Sequence, residues 1–304
     1  MIKRLLLAWT LLCMALSAAV LGPDASSAVP SPSEGPAPHR ALPEDVSRTD
    51  LVTGERVSVT DLLVAIQQEV APLIHEPTVR QDLAALARSH GIPDDDEVLA
   101  EYLAVRTALE ATRSGGWWHV AWRITDQEPD STHIWADWAQ WSGGPTAGAS
   151  AWAECDEISA LFAVVARSLG AGRVGLFWPT FDHTVAVWQP GRSLQRLVVP
   201  TTPIRLSARQ GLGTREMDPS TQRTIYTYDK RDGIDGVTLP GGLARFFQVQ
   251  VRRYAAASAE VNGALRELRE RAYGEGWTLA RVHTAADGLA VGVQEEADRE
   301  AIER

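Results

Sequence analysis

Residues 153–170 read Ala-Glu-Cys-Asp-Glu-Ile-Ser-Ala-Leu-Phe-Ala-Val-Val-Ala-Arg-Ser-Leu-Gly. Ile158, Leu161, Phe162, Val165 and Leu169 recur at spacings of three and four, which is one face of an α-helix. Ala160, Ala163, Val164 and Ala166 leave the other faces small or apolar, so the spacing predicts a helix buried on most sides. Gly170 and Gly172 supply its C-terminal stop. Cys155 falls in the first turn, where unpaired backbone N–H groups and the positive dipole end favour a thiolate. Glu154, Asp156 and Glu157 suit a helix N-terminus, but their charges oppose ionisation of the thiol. An imidazolium neighbour would act in the opposite direction.

Such a neighbour follows in the chain. Arg173 to Trp178 reads as a short strand ending at Pro179. His183 to Trp188 alternates as a second strand, with Val185 and Val187 on one face and Thr184, Ala186 and Trp188 on the other. Gln189-Pro-Gly191 is a turn signal, and Leu194 to Val199 is a third strand closed by Pro200. A hairpin of this kind packs on the helix and carries His183 to the thiol, making Cys155 the nucleophile and His183 its base.

The pattern Cys-x-x-x-Ala/Ser-x-Leu-x-x-x-Leu/Val-x-Arg-x-Leu-Gly, a short strand, and then a His opening a second strand resembles the transglutaminase-like superfamily of papain-like cysteine folds. Cys155, Ser159, Leu161, Val165, Arg167, Leu169, Gly170, Arg173 and His183 stand at the matching places, and the likeness covers residues 150–205. It implies an α+β fold with the Cys-bearing helix packed on an antiparallel sheet. It also implies chemistry through a Cys thioester with His as base and an Asp on the next strand. Transglutaminases, peptidases, amidases and inactive relatives share the pattern. Three positions depart from it. Ala153 stands where Gly is usual, Val185 where Trp is usual, and Val199-Pro-Thr201 where the family reads Asp-Pro-Thr. With no carboxylate at Val199, Gln195 or Thr201 is left to orient His183 by a hydrogen bond.

The chain has 304 residues, 45% of them hydrophobic and 22% charged, enough to bury a sizeable core. Its net charge of −10 and the lack of a basic run beyond the N-terminus exclude a nucleic-acid surface. Met1-Ile-Lys-Arg4 precedes an uncharged run from Leu5 to Gly22, followed by small residues, so residues 1–28 read as an export signal. If uncleaved, this segment is the one expected membrane contact. Residues 29–50, rich in Pro, Ser and Ala, read as a linker. Cys13 lies in the signal, which leaves Cys155 as the lone thiol of the exported chain and permits no internal disulfide.

Residues 51–290 form the expected folded domain, and 291–304 a charged tail. Its first part, 51–114, is expected to be helical. Leu62, Leu63, Ile66, Val70 and Leu73 mark one helix, and Thr78 to His90 a second. Pro93 with the acidic run Asp94 to Glu97 opens a third, in which the carboxylates complement the helix dipole rather than bind a metal. Residues 117–152 hold seven of the eleven tryptophans. Most suit a core of large side chains, whereas Trp141, Trp152 and Gln140 are candidates to bind substrate or support an oxyanion beside Cys155. His119 and His133 lack partners at metal-ligand spacing. Further on, Arg223 to Tyr228 alternates as a strand, Ala244 to Val251 reads as a strand or short helix, Ala255 to Ala272 as a helix, and Trp277 to His283 as a short strand.

These readings converge on an exported cysteine-dependent amide hydrolase or acyl transferase acting on a peptide or protein, with no cofactor and no metal. The alternative is a transglutaminase-like domain that has lost catalysis and binds through its Trp-rich face. A serine hydrolase lacks its Gly-x-Ser-x-Gly elbow here.

Overall fold

The computed structural model describes residues 51–123, 132–142, 150–180, 183–202, 234–276, 281–282, 284–286 and 288–289. The signal, the linker, the Arg223–Tyr228 segment and the charged tail lie outside the described residues. Among the described residues, no helix is long and apolar enough to cross a membrane.

The described residues open with strand β1 (Arg56–Ser58) and helix α1 (Val59–Val70). Ser58 caps α1 by accepting the Asp61 N–H at 3.0 Å. A 3₁₀ turn, Ala71–His75, leads to α2 (Pro77–His90), which begins on a proline, where no intrahelical N–H is needed, and ends on left-handed Gly91. Helix α3 (Asp96–Thr112) is capped by Asp95, whose carboxylate accepts the Val98 N–H at 2.9 Å. The acidic run therefore serves the helix start.

Strand β2 (Ala121–Arg123) pairs in parallel with β3 (Ser150–Trp152), and α4 (Thr132–Ala139) lies between them in sequence. Helix α5 (Cys155–Ser168) leads into β4 (Val174–Thr180), β5 (His183–Trp188) and β6 (Leu197–Val199). These three strands form an antiparallel sheet with β5 at its centre, and α5 packs on β4 and β5. Strand β7 (Thr238–Pro240) pairs antiparallel with β1, and α6 (Gly241–Tyr254) and α7 (Ala259–Gly274) follow.

The architecture is α+β, with helices as its larger part. Ile158, Leu161, Phe162 and Val165 of α5 are buried between the sheet and α3. Both faces of β5 are buried. Ala186 and Trp188 join the main core, while Val185 and Val187 meet Phe177 and Val198 in a separate cluster.

Trp117, Trp118, Trp135 and Trp138 are also core residues. The Trp118 ring stacks on Phe247 at 4.3 Å, and Trp138 meets the same phenyl edge-on at 5.3 Å. The dense tryptophans thus fasten α6 to the rest of the core.

Some boundaries differ from the sequence reading. The third strand of the hairpin starts at Leu197 rather than Leu194, because Gln189 to Arg196 is spent on the turn. Of the strand and the short helix expected over 244–251, the structure has the helix, as part of α6: Phe247 and Val251 share one buried face at a spacing of four. Of the strand expected over Trp277 to His283, residues 277–280 and 283 lie outside the described residues, and Arg281 and Val282 are helical.

Candidate functional site

The first turn of α5 and the start of β5 meet at one sulfur. Helix α5 is held at its N-terminus by a capping box. The Glu157 carboxylate reaches back to accept the Glu154 N–H at 2.6 Å, and the Glu154 side chain accepts the Glu157 N–H in return. This fixes Cys155 as the first helical residue. Its Sγ accepts the backbone N–H of Thr184 at 3.3 Å. The peptide linking His183 to Thr184 is thereby anchored at the thiol, and His183 stands at the strand end nearest the sulfur.

Both residues are buried, Cys155 at 9% exposure and His183 at 2%. Burial pushes the Cys155 thiol pKa up, the Thr184 N–H pulls it down, the Asp156 and Glu154 carboxylates push it up again, and the Asp156 N–H lowers it. Burial and the acidic neighbours win, so the thiol titrates above its ordinary range.

A second set of bonds lies beneath the thiol. The Ser159 hydroxyl, one helical turn after Cys155, donates to the Cys155 carbonyl at 2.6 Å. It also lies 3.3 Å from the Thr184 carbonyl and 2.6 Å from the Thr201 hydroxyl. Ser159 thus ties together the helix start, β5 and the segment after β6. The signal for this was in the sequence: a spacing of four puts Ser159 on the same helix face as Cys155.

Of the two residues proposed to orient His183, neither is placed on the imidazole. Thr201 is buried, but its hydroxyl bonds Ser159. Gln195 is exposed on the turn, its backbone N–H bonded to Ser193 Oγ at 3.0 Å. Leu197 pairs with Trp188, so Gln195 belongs to the opposite end of β5 from His183. Five residues of strand separate those ends, about 16 Å.

Continuing the β5–β6 register past Val199 leads to Thr202 opposite His183. However, the Thr201 N–H turns back to the Val199 carbonyl at 2.9 Å, and the ladder stops there. Thr202 is buried, and its hydroxyl has no hydrogen bond among the described residues.

The proposed substrate residues separate in the same way. Trp152 lies three positions before Cys155 and is 54% exposed. Gln140 is exposed at the end of α4. Trp141 is half-buried, with its ring 3.9 Å from where a Cβ on Gly242 would stand, which sets it beside the start of α6. His119 is buried against Phe246. The His133 side chain lies outside the described residues. Among the described residues, no group of His, Cys, Asp or Glu is arranged to hold a metal ion.

A half-buried carboxylate steadies the far end of the hairpin. Glu101 Oε2, from α3, accepts the Trp188 indole N–H at 3.1 Å and the Gly191 N–H at 2.8 Å. Sequence reading missed this residue, because one Glu among several on a helix carries no local signal of its long-range partners.

No protein-family model, curated protein or solved structure matches the chain.

Proposed function

We propose that the chain is an exported, transglutaminase-like cysteine enzyme that hydrolyses amides or transfers their acyl groups. Cys155 Sγ attacks the amide carbonyl while His183 takes the thiol proton. Collapse of the tetrahedral intermediate breaks the C–N bond, and His183 returns the proton to the departing amine. The resulting thioester is cleaved by water, giving an acid, or by a second amine, giving a new amide. Trp152, exposed just ahead of the nucleophile, offers an aromatic platform for a peptide or protein substrate.

The observation that supports this reading is the Thr184 N–H on Cys155 Sγ, which brings the backbone of the adjoining His183 to the sulfur. The test is the rate of labelling of Cys155 by iodoacetamide at neutral pH, followed by mass spectrometry, in the wild type and in His183→Ala. An enzyme of this kind labels faster than a free thiol, and loses that advantage without His183. Equal, slow labelling of both proteins would overturn it.

A second reading rests on the raised thiol pKa and on Val199 at the carboxylate position. It makes the domain a catalytically silent binding module with the same fold, and slow labelling of both proteins is its signature.

A further inference from the structure

Helices α2, α3 and α7 enclose a cleft of about 570 Å³ that includes no residue of α5 or the β4–β5–β6 sheet. Its volume is that of a small-molecule site. Leu86 and Leu109 give it an apolar wall, and two buried guanidinium groups, Arg106 and Arg266, line it.

The two arginines differ in their partners. Arg106 donates to Asp82 Oδ2 at 3.3 Å and to the carbonyls of Ala255 and Ala257, leaving its Nε unbonded. Arg266 makes no hydrogen bond among the described residues. Its ion pair to Glu110 Oε1 is 3.8 Å long, Arg113 holds the same oxygen at 3.5 Å, and the Glu270 carboxylate acts on both guanidinium groups, while the Arg266 Nε is buried with no hydrogen-bond partner among the described residues. Asp82 is already engaged by Arg106 and by the Ala259 N–H at 2.9 Å.

A guanidinium carries five donors and keeps its charge at any ordinary pH, so burying one without an acceptor is costly. The partner that best fits its planar fork is a carboxylate. Glu260 and Glu267 line the same cleft from α7 and supply negative charge. The cleft therefore offers a buried guanidinium with an unbonded Nε, an apolar wall and carboxylates together.

We propose that this cleft binds a short apolar peptide with both termini free. The C-terminal carboxylate pairs with Arg266, the side chains lie on Leu86 and Leu109, and the N-terminal ammonium faces Glu260 and Glu267. The proposal does not depend on Cys155.

Calorimetric titration of the full chain with the dipeptide Leu-Leu tests it. Leu-Leu binds, whereas Leu-Leu-amide, which lacks the carboxylate, binds about 10- to 100-fold more weakly. N-acetyl-Leu-Leu, which lacks the ammonium, is also weakened. Arg266→Met loses affinity for Leu-Leu by the same factor as the amide does. Without ligand Arg266→Met still melts cooperatively, its Tm lowered only by loss of the long ion pair to Glu110 and the attraction of Glu270. Cys155→Ala binds as the wild type does.

The proposal is overturned if Leu-Leu shows no binding at about 10 mM, if the amide binds as tightly as the free peptide, or if Arg266→Met binds unchanged. Dependence of binding on Cys155 would also overturn it, because the peptide would then be at the thiol. The comparison of peptide with amide on wild-type protein stands even if Arg266→Met fails to fold.

Discussion

Thr184 donates its backbone N–H to Cys155 Sγ across 3.3 Å, so the thiol is held by main chain rather than by a side chain. A backbone donor cannot be removed by substitution at position 184, short of proline, and its placement depends on the register of β5. The contact favours thiolate over thiol, against the larger effect of burial and the acidic flank.

The pH dependence of that balance is measurable. If the thiol keeps its raised pKa, as the silent-module reading requires, alkylation of native Cys155 rises with pH through a midpoint above that of the unfolded thiol, whereas proton transfer to His183 makes it fast already at neutral pH. Stability follows by linkage. The unfolded thiol ionises first, so the stabilising difference is complete below the unfolded pKa and is lost as pH climbs from there through the folded pKa. Denaturant melts at pH 7 and pH 10 should show the wild type losing more stability than Cys155→Ala over that interval. An equal loss would place the folded pKa at its unfolded value.

The Ser159 and Thr201 hydroxyls, 2.6 Å apart, are predicted to act as a unit. Ser159→Ala leaves the buried Thr201 hydroxyl without its partner and costs about 1–3 kcal/mol. Thr201→Val costs a similar amount. The double variant loses less than the sum, because the second change removes a group that the first had already orphaned. Urea melts of the four proteins give the coupling directly.

Gly191 occupies left-handed backbone at φ +49°, and an added Cβ would stand 2.9 Å from Val98 Cγ2. Gly191→Ala is therefore strained in both backbone and space, and is expected to lose about 1–3 kcal/mol. Glu101→Ala unpairs both the Trp188 indole and the Gly191 N–H and belongs in the same range. Thermal melts of each single variant check this, and a change under about 0.5 kcal/mol would show that the turn tolerates loss of its anchor.

Two tryptophans should behave oppositely. Trp138, fully buried among Trp118, Trp135 and Phe247, loses about 3–5 kcal/mol on change to Ala. Trp152→Ala, at an exposed site, leaves the melting temperature near that of the wild type. If the proposed function holds, Trp152→Ala raises KM for a peptide substrate instead. Calorimetry and a peptide-hydrolysis assay separate the two effects.

The sequence made α5 legible because its apolar spacing and its Gly stop agree. It made β5 legible because its residues alternate and a turn follows. The three N-terminal helices were visible for the same reason, with Pro77, Gly91 and Asp95 marking their ends. Local pattern failed where distant contacts decide. The 244–251 segment reads as either a strand or a short helix, and Phe247 stacked on Trp118 decides for the helix. Thr201 and Gln195 looked equally able to reach His183, because distance along the chain says nothing about which end of a strand a residue faces. The hydroxyl of Thr201 went to Ser159, a partner 42 residues away.

Strand β5 is buried on both sides, and from Val185 to Trp188 it is apolar on both, so sliding that part by one residue would exchange one greasy surface for another at little cost. Burial alone therefore discriminates poorly between alignments. Polar fasteners at either extremity make the choice: the sulfur that receives Thr184 and the carboxylate that receives Trp188. Whatever chemistry the thiol performs, its aim is set partly by a glutamate at the other tip of the same strand.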